Sequence, residues 1–378
     1  MKKFTLYTIA ITVALLSLAS ALVITLTGNL KLAGPLFILF FAALAVGFRG
    51  YDHLKGFTYT VAIFAALTTA LYYPQFFLQA GGFKFSKLIT PLIQVIMFGM
   101  GTSMSVRDFV GVVKMPKGVF IGVFSHFMIM PLIGFTLASV SGFPPEIAAG
   151  IILIGCSPNG MASNVISYLA KANLALSITI TAVSTLLAPI MMPLLMKLYA
   201  GALVEINVLD MMWDIVKMVI FPIAGGLLFN KFLSGKAKWL DNAMPMVSMV
   251  GIAFIITIIT AAGRDSLLSI GPLLILLVLL HNLSGYFLGY WSGRLFRMEE
   301  RDCRTIAIEV GMQNGGLASA LAKEMGKMAT VGLAPAVFGP LMNVTGSILA
   351  SWWHRKPPAD GNEEPSPGAI QPDGIAVN

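Results

Sequence analysis

The sequence predicts an all-α integral membrane protein built from two inverted five-helix repeats, with two additional helices in front of them. Three observations carry this prediction. The chain is 57% hydrophobic, only 11% charged, and has a mean hydropathy of +0.84, whereas a soluble domain carries about 25% charged residues. Its apolar residues fall into twelve segments, each close to the roughly 20 residues a helix needs to cross a bilayer. Two of those segments, at corresponding places in the two halves, are interrupted by polar residues and glycine.

The segments follow in order from the positions of the charges. Residues 4–27 come after the basic pair Lys2 and Lys3, but their apolar run is longer than a signal-peptide core and has no clear A-x-A site, so they read as a retained helix. Residues 31–48 complete the additional pair (1–55), with Arg49 and Lys55 closing it. The first repeat (56–200) contains segments 56–79, 87–104, 118–140, 145–170 and 173–200, set apart by Lys84 and Lys87, by Arg107, Lys114 and Lys117, and by Lys171. The second repeat (208–352) contains 208–232, 238–262, 268–295, 303–326 and 330–352, set apart by Lys231, Lys236 and Lys238, by Arg264, by Arg294 to Arg304, and by Lys323 and Lys327. Residues 353–378 are rich in Pro, Gly and acids and read as a disordered cytoplasmic tail.

Orientation follows from the basic residues. With the N-terminus inside, 17 Lys and Arg fall on the inner face and 7 on the outer, with Lys217 left within a span. The positive-inside rule then puts both termini in the cytoplasm and the chain in the cell's inner (plasma) membrane. The net charge of +8 is scattered between apolar runs, so the bilayer accounts for it and nucleic acid does not. Cys156 and Cys303 offer no disulfide framework.

The two interrupted segments hold the chemistry. Segment 145–170 contains "GCSPNGMASNVISYLAKA", broken at Pro158, Asn159 and Gly160. Segment 303–326 runs the opposite way and contains Glu309, Gln313 and Asn314, with Gly315-Gly316 where a helix should be continuous. His126 precedes Asn159-Gly160 by 33 residues, and His281 precedes Asn314-Gly315 by the same number. Paired interrupted helices in inverted repeats are a transporter architecture, with the site at the breaks. A carboxylate near the middle of a span costs roughly 2.5–3.5 kcal/mol on insertion scales, and Glu309 is the acid deepest in any span. Unwound carbonyls beside a carboxylate suit an alkali cation, while half-helix N-termini favour an anion. Asn159 and Asn314 could serve either. Ser177 and Thr181 are four apart and share a helix face; the plain alternative is that their hydroxyls bond their own backbone.

These residues resemble the bile acid:sodium symporter family in its bacterial form. Besides the first motif and its continuation to Leu195, "IEVGMQNGGLASALA", "VIMFGMGTSM" and "LLHNLSGY" are similar to family signatures. The likeness extends over about residues 56 to 352. It implies a panel domain and a core domain, the core containing two crossing broken helices. It also implies one sodium site from Ser163, Asn164, Ser177, Thr181 and Glu309, and a second from Glu309, Gln313 and the carbonyls of Val310 and Met312. The substrate would meet Asn159, Gly160, Met161, Asn314, Gly315 and Asn343. Two departures stand out. His126, in "IGVFSHFMIMP", takes the place of a glutamine in the second sodium site, and imidazole offers nitrogen where sodium prefers oxygen. Met161 and Met342 replace polar residues near the substrate, so that pocket is less polar.

The expected function is secondary active transport: sodium-coupled symport of a small organic anion by alternating access. Sodium ions are the only cofactor. Two sodium ions against the single charge of Glu309 favour an anionic substrate, such as a bile-acid-like molecule or a smaller keto, hydroxy or pantoate-like acid. Alternatives are a passive channel, a ligand-binding membrane sensor, or a symporter in which a protonated His126 replaces one sodium. No nucleophile–base pair or His/Cys/Asp cluster points to an enzyme, and no protein partner is expected beside the lipid bilayer.

Overall fold

The computed structural model describes residues 2–51, 54–105, 110–233, 238–356 and 358. Arg107, Lys236 and the tail residues 357 and 359–378 fall outside these. Eight of the described helices are long and apolar enough to cross a membrane. Helices dominate because lipid offers no partner to a free peptide group, so each backbone donor must be satisfied within its own segment.

The additional pair is α1 (Lys2–Leu26) and α2 (Leu30–Phe48), packed on each other and, through α2, on α3 (Thr58–Tyr72). Lipid-facing hydroxyls bond back along the helix, as in Thr12 to Thr8 O (3.0 Å) and Thr25 to Ala21 O (2.8 Å). The span expected over 56–79 is shorter as a helix. Tyr73 leaves the helical conformation at φ −130°, ψ 56°, because Pro74 disfavours helix in the residue before it. A four-residue α4 (Gln75–Leu78) and a hairpin of β1 (Gln79–Ala80) and β2 (Phe83–Lys84) follow.

Next come α5 (Ile89–Ser103), the short α6 (Val110–Lys114) and α7 (Pro116–Val140). The span over 145–170 is two helices, α8 (Pro145–Cys156) and α9 (Ala162–Leu169), and α10 (Leu174–Ala200) returns across the core. The span over 208–232 is α11 (Val208–Ile215) and α12 (Phe221–Leu233), joined by a π-helical turn over Val216–Ile220. At this turn Gln94 Nε2 of α5 donates to Lys217 O at 3.2 Å. Two long helices, α13 (Lys238–Ala262) and α14 (Arg264–Leu295), precede the second broken span, which is α15 (Glu300–Gly311) and α16 (Gly315–Glu324). The last helix, α17 (Leu333–His354), continues past residue 353, and Trp353 is buried, so the expected tail starts later than its composition suggested.

The second break also lies elsewhere than the glycine pair. It covers Met312 to Asn314, and Gly315-Gly316 open α16. Asn314 Oδ1 accepts from Leu317 N at 3.0 Å, an N-cap that restarts the helix at once. The glycines there permit close packing: a Cβ on Gly315 would stand 3.2 Å from Pro335 O of α17.

Apolar surface faces outward, as lipid requires; Leu26, Phe232 and Leu198 are exposed. Polar side chains gather in the interior instead. His126, Asn159, Ser163, Ser177, Glu309 and Gln313 are all fully buried.

Candidate functional site

The two breaks cross and hydrogen-bond to each other through their backbones. Asn159 and Gln313 form an antiparallel bridge. Gly160 N donates to Met312 O at 3.2 Å, and Asn314 N donates to Pro158 O at 2.8 Å. Each break therefore supplies partners for peptide groups that the other leaves unpaired, which is how non-helical backbone is tolerated at membrane depth. Gly160 is required by the approach, since a Cβ there would lie 2.7 Å from Gln313 O.

On one side of this crossing, oxygen atoms converge on Glu309. Ser177 Oγ donates to Glu309 Oε1 at 2.5 Å and Thr181 Oγ1 to Glu309 Oε2 at 2.9 Å. Asn164 Oδ1 lies 2.9 Å from Ser177 Oγ and 3.4 Å from Thr181 Oγ1, and Ser163 Oγ lies 3.3 Å from Thr181 Oγ1. The local reasons are simple. One helical turn of α10 puts Ser177 and Thr181 on a single face, the first turn of α9 brings Ser163 and Asn164, and the end of α15 brings Glu309. The hydroxyls thus bond across helices, not to their own backbone. Carboxylate, hydroxyl and amide oxygens are the hard ligands an alkali or alkaline-earth cation takes, and a hydroxyl can turn its hydrogen away to offer a lone pair. The donor set fits sodium.

The other side is built differently. His126 Nε2 lies 2.8 Å from Ser157 O, and His126 Nδ1 lies 3.0 Å from Asn159 Nδ2 and 3.3 Å from Glu309 O. Asn159 Nδ2 also donates to Glu309 O. Val310 O accepts from Gln313 Nε2 (3.1 Å), and Gln313 Oε1 accepts from Ser157 Oγ (3.3 Å). Of the residues expected to meet substrate, Asn159, Gly160, Asn314 and Gly315 lie at the crossing, Met161 caps α9, and Asn343 is half-buried on α17.

One polar network escaped the sequence reading. Asn282 Nδ2 on α14 donates to Gly311 O at 2.9 Å, Thr345 Oγ1 donates to Asn282 Oδ1 at 2.6 Å, and Tyr286 OH donates to Met342 O at 3.2 Å. It anchors the last carbonyl of α15 to α14 and α17. The available signal was an asparagine in the middle of a 32-residue apolar helix, where an intramembrane polar residue needs a partner.

A multi-pass helical bundle with two interrupted helices crossing at a buried carboxylate is a membrane protein of the transporter class. The chain belongs to the sodium bile acid symporter family. The family's sequence profile matches residues 90–270. The chain is 38% identical over 309 residues to the uncharacterized sodium-dependent transporter YocS of Bacillus subtilis, covering 82% of this chain and 94% of that one. It is 32% identical over 266 residues to the probable sodium/metabolite cotransporter BASS1 of Arabidopsis thaliana chloroplasts, 70% of this chain and 66% of that one. It is 34% identical over 242 residues to the ileal sodium/bile acid cotransporter of Mus musculus, 62% of this chain and 69% of that one. All three are named as sodium-dependent transporters or cotransporters.

Proposed function

We propose that the chain is a sodium-coupled symporter that carries a small organic anion inward by alternating access. The observation that carries this reading is the set of oxygens from Ser163, Asn164, Ser177, Thr181 and Glu309, drawn from three helices, with all but the half-buried Asn164 fully buried. In this reading the helices from 56 to 200 and from 208 to 352 are inverted repeats. They supply a panel and a core, and the crossed breaks lie in the core. Sodium entering from outside neutralises Glu309 and stabilises the crossing. The substrate then binds beside Asn159, Gly160, Met161, Asn314, Gly315 and Asn343, where the amide ends of α9 and α16 favour a negative group. The names of the relatives, which mention bile acid and metabolites, support an organic substrate. The chain lies in the plasma membrane with both termini in the cytoplasm.

The test is uptake into proteoliposomes. A thermal-shift screen of carboxylates, with and without sodium, selects ligands that bind the folded protein. Uptake of the best one should be saturable and driven by an inward sodium gradient. Uptake indifferent to sodium, or unitary conductance in a planar bilayer, would overturn the reading.

A further inference from the structure

The two flanks of the crossing differ in a way that bears on how many cations it holds. Around the Glu309 carboxylate the neighbours are oxygens, two of them rotatable hydroxyls of Ser177 and Thr181. Around the Glu309 main-chain carbonyl, nitrogen donors already hold the carbonyl oxygens. Asn159 Nδ2 serves Glu309 O, Gln313 Nε2 serves Val310 O, Gly160 N serves Met312 O and His126 serves Ser157 O.

The protons on this second flank can be assigned from the network. Asn159 Nδ2 faces both Glu309 O and His126 Nδ1. An amide oxygen turned there would meet a carbonyl oxygen, so the amide nitrogen belongs there and Nδ1 accepts. His126 then carries its proton on Nε2 and donates it to Ser157 O, while the 3.3 Å approach of Nδ1 to Glu309 O is a contact between two acceptors and Asn159 Oδ1 stays without a partner. Gln313 Nε2 and Gly160 N direct partial positive charge at Val310 O and Met312 O, two carbonyls the second sodium site would use, and the His126 and Asn159 donors stand beside them on Ser157 O and Glu309 O. Sodium on this flank would be repelled by them and would gain a nitrogen ligand where it prefers oxygen.

We propose that the hydrogen-bonded pair His126 and Asn159 stands where a second cation would lie, so that the chain binds a single sodium ion, at Ser163, Asn164, Ser177, Thr181 and Glu309. This rests on the sodium-coupled reading above. It also alters the charge balance. One sodium neutralises Glu309, and the charge of the anion is left to the amides at the crossing and the helix ends. Cotransport of one sodium with a monoanion would then move no net charge.

Linkage measures the count directly. The full-length protein in detergent is unfolded in graded sodium chloride at constant ionic strength, with choline replacing sodium. In the saturating range, a protein that binds one ion on folding gains about tenfold in its folding constant for each tenfold rise in sodium, and one that binds two gains about a hundredfold. The wild type is expected to gain tenfold. A hundredfold gain would overturn the single-ion proposal while leaving sodium coupling intact. No gain at all would overturn the sodium reading itself. His126→Gln exchanges ring nitrogen for an amide oxygen and is expected to raise the gain above tenfold. A folded His126→Gln protein that still gains only tenfold would remove His126 from this role.

Discussion

Glu309 is a charge in a place where charge is expensive, and its surroundings explain how it is kept. Hydroxyls of Ser177 and Thr181 occupy both carboxylate oxygens, and its carbonyl is held by Asn159. Glu309→Gln preserves size and removes the charge. It should abolish sodium-driven uptake and the stabilisation by sodium, while the protein still inserts; sodium dependence equal to wild type would remove Glu309 from the site. Asn282 is a second residue whose loss should be felt at a distance from any ion. Asn282→Leu leaves Gly311 O buried without its donor, at a cost of about 1–3 kcal/mol, and a lower midpoint of thermal unfolding is the measurable outcome. An unchanged midpoint would mean that the carbonyl finds another partner. Much of this chemistry was legible in the residues: a lone deep acid, two hydroxyls on one face, and asparagines at the breaks. Asn282 was not, because its partner is a backbone carbonyl 29 residues further on, and no side-chain pattern marks a carbonyl.

The elements repeat the lesson at a larger size. Twelve apolar segments outlined the helices, yet hydropathy did not locate the points where helices stop. Pro74 ended α3 early, and Asn314 restarted α16 ahead of the glycines that looked like the break. Both depend on local backbone chemistry, which an average over twenty residues erases. Arg304 shows another gap. In the sequence it reads only as an inner-face charge, but it is buried, bonds Glu300 at 2.9 Å, and donates to Ala170 O, Trp353 O and Lys356 O at the ends of α9 and α17. Glu300 is one helical turn away, but the three carbonyls come from distant parts of the chain, which sequence alone does not bring together. The crossing itself is open to test. Gly160→Ala adds a methyl 2.7 Å from Gln313 O, and overpacking of this kind costs about 1–3 kcal/mol. The variant should lose both stability and transport, whereas wild-type uptake would show that the breaks can separate without penalty.

For the whole molecule, orientation is the quantity the basic residues decide. Single cysteines beside Lys84 should react with an impermeant reagent from outside, and those beside Lys231 or Lys236 only from inside. Labelling of both from one side would mean that a segment between them fails to cross. The helix leading to Lys231 also carries the π turn over Val216–Ile220, and the turn has a consequence for which residues face lipid. Trp213, Phe221 and Leu228 are all exposed, but the first two are eight residues apart and the last two seven. A plain α-helix repeats its face after seven, so the extra residue in the wide turn resets the phase and lets both ends of the helix share one lipid-facing stripe. Deleting a single residue between 216 and 220 would return the turn to α geometry. That would leave Trp213 and Phe221 seven positions apart in a plain α-helix, still on one lipid-facing stripe, so the wide turn absorbs its extra residue without rotating either end.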